Sequence, residues 1–266
     1  MKSTIHVLFL ALILPAVMAC GQPTSVFVVH CEPTNADPVH WAALVDLVAL
    51  ADRNGVALSI DFTAQWAEMI LADEGKTAAV GGWLDDGHEI GCHHHPYWTL
   101  LERPATWDGY TSTAIDEILP EHRVDYRGAM DDYMTLLDAL PGERRSGCLG
   151  LSDPRDEADG LCSLVYSTAG HAVEDAVSGP VERTIGGCAV TEIGHALLVV
   201  AERGALRALY EETSEDAIFG VIGHVYNYIE FPLAFEGWFE FLQARDPAGE
   251  RRGTVSAVLD ARSSPD

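Results

Sequence analysis

The pattern that most constrains this chain is a short apolar run followed by a helical stretch, repeated from Ser25 almost to the end. Residues 25–30, Ser-Val-Phe-Val-Val-His, are apolar on both faces, as a strand buried inside a parallel sheet must be. Asp37-Pro38 then opens a helix through about Ala51, closed by Asn54-Gly55. Residues 56–60 and 89–93 read as further strands. Helices are expected over 63–72 and again up to Asp85-Asp86-Gly87. Downstream come a helix over 130–140, strands over 162–166 and 188–193, a helix near 197–213 and a strand over 217–222. A helix over 232–245 and a closing strand over 253–258 complete the series. Strand–helix alternation implies an α/β domain with right-handed crossovers, a condition that an open doubly wound sheet and a closed barrel both meet. No GxGxxG or Walker-type glycine loop occurs, so nucleotide binding has no support. No repeat or linker divides the chain, which predicts one domain over 25–260 and a tail over 261–266.

The N-terminus carries a different signal. Met1-Lys2 precedes an apolar run over 7–17, broken by Pro15, and Ala19 precedes Cys20. The run is short for a bilayer span and fits a secretory signal over residues 1–19. Val17-Met18-Ala19-Cys20 is similar to a bacterial lipobox, with Cys20 as the lipidated residue and 20–24 as a tether; a plain signal peptide is the alternative. The expectation is an exported lipoprotein, periplasmic or cell-surface, that meets the membrane only through its lipid. The formal charge of −25, from 41 acidic and 16 basic residues, disfavours nucleic acid and anionic membrane surfaces as partners. Cys31, Cys92, Cys148, Cys162 and Cys188 remain. Their odd number leaves at least one thiol outside any disulfide, and spacing alone assigns no bridge.

The densest chemical signal is Gly87-His88-Glu89-Ile90-Gly91-Cys92-His93-His94-His95-Pro96-Tyr97-Trp98. Strand alternation puts His93 and His95 on one side and His94 on the other. Pro96 ends the strand, so the histidines sit at its C-terminal end, where parallel α/β folds build their sites. The first strand ends in His30-Cys31-Glu32-Pro33, with His30 and Glu32 on one face. An ionisable pair after an apolar strand is costly to bury unless paired or metal-bound. Glu32 with His93 and His95 would suit Zn²⁺ or a similar divalent ion with positions left open; a His–Glu hydrogen bond bracing the strand is the simpler alternative. Trp107, Asp108 and Tyr110 follow in a loop-like stretch and offer aromatic and acidic groups for gripping a sugar. No GxSxG elbow or HExxH helix occurs.

Gly87-His88-Glu89-Ile90-Gly91 before a histidine cluster resembles the second motif of polysaccharide deacetylases. Further pieces follow in the family's order. The strand ending in Glu32 is similar to the first motif, Tyr126-Arg127-Gly128-Ala129 to the arginine motif, and Phe219 through His224 to the final strand with its histidine. The resemblance implies a distorted (β/α) barrel of about seven parallel strands and hydrolysis of acyl groups from an N-acetylated saccharide. It implies a divalent cation held by Glu32 and His93, with His95, on the same face, in place of the family's second histidine; His30 at the position of the base, His224 as general acid and Arg127 as an orienting group. A cation of that kind acidifies coordinated water toward pKa ~7 and polarises the amide carbonyl. Two positions depart from the family: its second histidine is here Tyr97, and its aspartate base is here His30. A saccharide-binding lipoprotein on the same barrel and a glycoside hydrolase-type enzyme are the alternatives.

Overall fold

A computed structural model describes residues 21–97, 106–149, 154–198 and 203–263. The expected signal segment 1–19 and the lipidation residue Cys20 lie outside them. In chain order the strands are β1 (Thr24–Cys31), β2 (Leu58–Phe62), β3 (Glu89–His93), β4 (Ser146–Cys148), β5 (Tyr166–Ala169), β6 (Val177–Ser178), β7 (Val181–Ile185), β8 (Cys188–Gly194), β9 (Ala196–Leu197), β10 (Ile218–His224) and β11 (Arg252–Gly253). They form one sheet in the order β6-β10-β1-β2-β3-β4-β5-β8-β7, with β9 beside β10 and β11 beside β1. Pairing is parallel from β10 through β8, while β6 and β7 are antiparallel to their neighbours.

The expected α/β barrel is met in coarser form, as a curled, mixed half-barrel whose parallel run from β10 through β8 is flanked by short antiparallel strands. The reason is a hairpin. Gly186 and Gly187 both hold positive φ, 59° and 89°, which a tight two-residue turn requires and side chains resist. That turn folds β7 back on β8. The curl brings the ends together: Gly194 N–H donates to Ser178 Oγ at 2.9 Å, and a Cβ on Gly220 would lie 2.1 Å from the Gly194 carbonyl oxygen.

Nine described helices accompany the sheet: α1 (Pro38–Arg53), α2 (Ala64–Leu71), α3 (Glu74–Asp85), α4 (Met130–Asp138), α5 (Pro154–Leu161), α6 (Arg203–Glu212), α7 (Val225–Glu230), α8 (Pro232–Arg245) and α9 (Val255–Ser263). Asp37 caps α1 by accepting from Val39 N–H and His40 N–H at 2.8 and 3.0 Å, with Pro38 at the first position, where no donor is needed. Two expected strands are corrected. Residues 255–263 form α9 after a two-residue β11, and β5 begins at Tyr166, while Cys162 lies in the turn after α5 and is bonded to Cys188 in a disulfide. None of the described helices is long and apolar enough to cross a membrane.

Alternation along β1 divides the interior in two. Phe27, Val29 and Cys31 join the large core under the helices. Val26 and Val28 face the concave side with Ile193, Ile218, Ile222 and, from α9, Val255 and Leu259. His30 continues the concave face of β1, and His224 that of β10, where the two are paired in register. Apolar side chains and α9 fill one end of the half-barrel; histidines occupy the other.

Candidate metal centre

The Gly-His-Glu-Ile-Gly segment splits between scaffold and site. His88 Nδ1 accepts from Leu58 N–H at 3.0 Å and its Nε2 meets Asp52 Oδ1 at 2.9 Å, tying α1 to β2. Glu89, at the start of β3, accepts from Ser59 Oγ at 3.0 Å and from Ser256 N–H at 3.1 Å, which seats α9 beneath the strands. Gly91 leaves room for a buried neighbour, since a Cβ there would lie 2.1 Å from Asp61 Oδ1. The chemistry gathers beyond β3.

There His93 Nε2 lies 2.9 Å from His95 Nε2 and 3.4 Å from Glu32 Oε1. His95 Nε2 is 2.9 Å from Glu32 Oε2, and His224 Nε2 is 3.2 Å from Glu32 Oε1. Three imidazoles thus surround one carboxylate at the C-terminal ends of β1, β3 and β10. They border a cavity of about 660 Å³ that Cys148, His171 and Tyr226 also line.

Proton positions make this arrangement informative. The Cys148 carbonyl, 3.2 Å from His93 Nδ1, can only accept, so His93 carries its proton on Nδ1 and presents a lone pair at Nε2. His224 Nδ1, 2.9 Å from Asn227 Oδ1, is fixed in the same sense when that oxygen accepts. Burial holds His93 neutral, with its pKa lowered to about 4. Lone pairs then face lone pairs and a carboxylate. A divalent cation would reconcile the His93 lone pair with the Glu32 carboxylate. Outer N–H groups held by a carbonyl and an amide oxygen are the usual support for metal-binding imidazoles. The residues fit such an ion.

His30 lies one layer deeper. It is 1% exposed, stacks on His93 with ring centroids 3.9 Å apart, and has Nε2 3.8 Å from Asp61 Oδ2. Burial lowers its pKa well below the ordinary histidine value and raises that of Asp61. One donor atom each from His30, Glu32 and His93 lies within 4.8 Å of the others.

The remaining expected residues do not reach this cavity's lining. Arg127 pairs with Glu68 at 2.6 Å and lines a separate depression of about 470 Å³ with Gln65, Trp107 and Asp108. Trp107 Nε1–H donates to the Tyr110 carbonyl at 2.9 Å, and Tyr110 itself packs in the main core against Tyr133. Asp108 is fully buried against His94. Tyr97, at the position of the family's second histidine, packs with Trp107 and Ile118 and meets His122 through its hydroxyl. Sequence reasoning passed over His171, His195 and the supporting role of Asn227. His195 directly follows the Gly that ends β8, which a strand-terminus search applied to every strand would have flagged.

No protein-family model matches the chain, and no curated protein matches it. Solved structures do. A Pseudomonas aeruginosa PAO1 chain assigned as a polysaccharide deacetylase superposes with a TM-score of 0.56 at 15% identity, covering 90% of this chain and 89% of that one. A Mycobacterium smegmatis chain with the same assignment gives 0.53 at 11%, covering 91% and 90%. The fold is that of the polysaccharide deacetylases. A 4-alpha-glucanotransferase from Thermococcus litoralis also contains it, with a TM-score of 0.54 at 11% identity over 89% of this chain but 38% of its own. A deacetylase-type fold by itself therefore leaves the reaction to be argued from the site.

Proposed function

We propose that this protein is a metal-dependent hydrolase that removes acyl groups from an N-acetylated saccharide of the cell envelope or extracellular space. The observation carrying this reading is the convergence of His93, His95 and His224 Nε2 on both oxygens of Glu32, with the His93 lone pair turned toward the carboxylate. Glu32, His93 and His95 would hold the ion, and the carboxylate-and-imidazole set favours Zn²⁺. Bound there, a divalent cation supplies Lewis acidity at the amide carbonyl and lowers the pKa of water.

The chain's own groups supply the rest. Asn227 fixes His224 Nδ1, which leaves Nε2 as the nitrogen facing the cavity. That nitrogen can accept a proton from water and return it to the departing amine. His30 stacks on the His93 ring and lines the same cavity, where it holds that ring and stands at the position expected for the base. Arg127, Trp107 and Asp108 border the adjacent depression, a place for neighbouring sugar units.

Acetate release from chito-oligosaccharides and peptidoglycan by Zn²⁺-loaded protein, compared with Glu32→Gln and His93→Ala, tests the assignment. Release that requires both residues is expected. Metal-loaded protein that binds sugar but frees no acetate would instead establish the saccharide-binding alternative. The same reading places the protein outside the cytoplasm, anchored through Cys20. The signal-like residues 1–19 support it, and the Cys162–Cys188 bridge suits an oxidising compartment. Incorporation of a labelled fatty acid that persists in Cys20→Ala would refute the anchor.

A further inference from the structure

Beside the first metal centre, and overlapping it at His30, lies a second group of donors. We propose that His30, Cys148 and His195 form a second cation site, softer than the first, for Zn²⁺ or another thiophilic ion. One donor atom from each of the three lies within 4.8 Å of the others. A tetrahedral zinc site with bonds of about 2.0–2.3 Å needs edges of about 3.5 Å, so closure asks for shifts of roughly 1 Å.

The placement follows from the curl of the sheet. His30 stands near the end of β1, Cys148 at the end of β4, and His195 between β8 and β9. These strands are far apart along a flat sheet and meet only across its concave face. His195 is 1% exposed, yet no side chain among the described residues hydrogen-bonds either ring nitrogen, and His30 Nε2 is in the same condition. Buried polar nitrogens are ordinarily satisfied. Three such atoms in one enclosure, beside a thiol outside the disulfide, point to a ligand.

The two donor sets differ in chemistry. Glu32, His93 and His95 combine a hard carboxylate with imidazoles, whereas His30, Cys148 and His195 combine imidazoles with sulfur, which selects softer ions. They also share a wall: the Cys148 carbonyl supports His93, whose ring lies on His30, while the Cys148 side chain belongs to the deeper set. The Asp61 carboxylate, 3.8 Å from His30 Nε2, places an acidic group where a second positive charge must be tolerated. This site stands on its own observations and does not require the hydrolase reading.

Metal-free full-length protein titrated with Zn²⁺, and separately with Co²⁺, tests it. Two equivalents should bind, and the cobalt form should show a thiolate-to-metal charge-transfer band in the near ultraviolet. His195→Gln and Cys148→Ser should each lose one equivalent and the band, with folding checked by circular dichroism. His195→Gln carries the test if the serine variant does not fold. Glu32→Gln should lose the other equivalent and keep the band, so failure of the first centre is read separately. Cys92→Ser, altering a buried thiol elsewhere, should keep both. A single equivalent with no thiolate band, or a band that survives His195→Gln, overturns the second site.

Discussion

His93 and His94 are neighbours in sequence and opposites in environment. His94 is fully buried between two carboxylates, with Nδ1 2.7 Å from Asp108 and Nε2 3.2 Å from Asp156. Every partner there is matched. Asp108 also accepts from His95 N–H and Tyr110 N–H, both at 3.1 Å, and Asp156 accepts from Thr111 Oγ at 3.0 Å and from Ser112 N–H. Burial opposes the charge on His94, but the two carboxylates outweigh it and raise the pKa to about 9. His93, one residue away, is neutral and turns a lone pair toward other acceptors. A satisfied ionic network staples the 107–113 segment to β3 and α5; an unsatisfied one marks a place for something else. The comparison separates scaffold from site more cleanly than residue type does, because both regions are built from histidine and carboxylate.

Exchanging the two roles by mutation gives the largest expected effect. His93→Ala should abolish binding at the first centre and lower turnover by more than the roughly 10–100-fold that loss of a supporting partner costs. Metal analysis and acetate release measure it. His94→Gln should leave the metal content intact but destabilise the fold by about 3–5 kcal/mol, since two buried carboxylates lose their cation. Should His94→Gln empty the site while His93→Ala leaves it filled, the distinction drawn here is reversed.

Alkali should expose the same contrast. His94 keeps its proton in the folded chain up to about pH 9, whereas an unfolded histidine releases it near the ordinary value of about 6.5. The stabilisation is therefore complete below that value and disappears as pH rises through the folded pKa. Asp156 is shifted the other way. Burial opposes the shift, but His94 lowers its pKa, so its contribution is present above the ordinary carboxylate value and fades in acid. The wild-type advantage over His94→Gln in thermal unfolding should be on the order of 3 kcal/mol between about pH 4 and 6.5 and should shrink toward pH 9. An advantage that grows with pH would refute the charged-network account.

Two smaller effects sharpen the site side. Asn227→Ala removes the group that fixes His224 and should cost about 10–100-fold in kcat with metal stoichiometry unchanged. Unaltered kcat would deny His224 its proton-transfer role. Arg127→Ala breaks a half-exposed pair with Glu68, so stability should fall by no more than about 1 kcal/mol. A rise in KM for longer oligosaccharides, with single-unit substrates unaffected, would place sugar units over the Trp107 depression.

Much of the fold was legible because burial on both sides of a strand leaves a plain signature. Phe27, Val28 and Val29 on β1 and Ile218 through Ile222 on β10 could hardly be anything but interior strands. The short strands β6 and β7 were not legible. Val181, Glu182 and Arg183 alternate weakly, and their place depends on the Gly186-Gly187 turn and on the edge they cover. At the site, strand alternation assigned His93 and His95 to one side and His94 to the other. It did not give His94 its partners, since Asp156 is 62 residues away and only folding brings it near.

The sequence by itself determined that buried parallel strands end in histidines and a glutamate, because periodicity and strand termini are local properties of the chain. The tertiary structure decided which of those side chains meet. The curl of the sheet carries His195 and Cys148 across to His30, and it sends Asp108 away from the cavity to His94. Long-range closure sets these pairings, and no spacing along the chain encodes the curvature of a sheet.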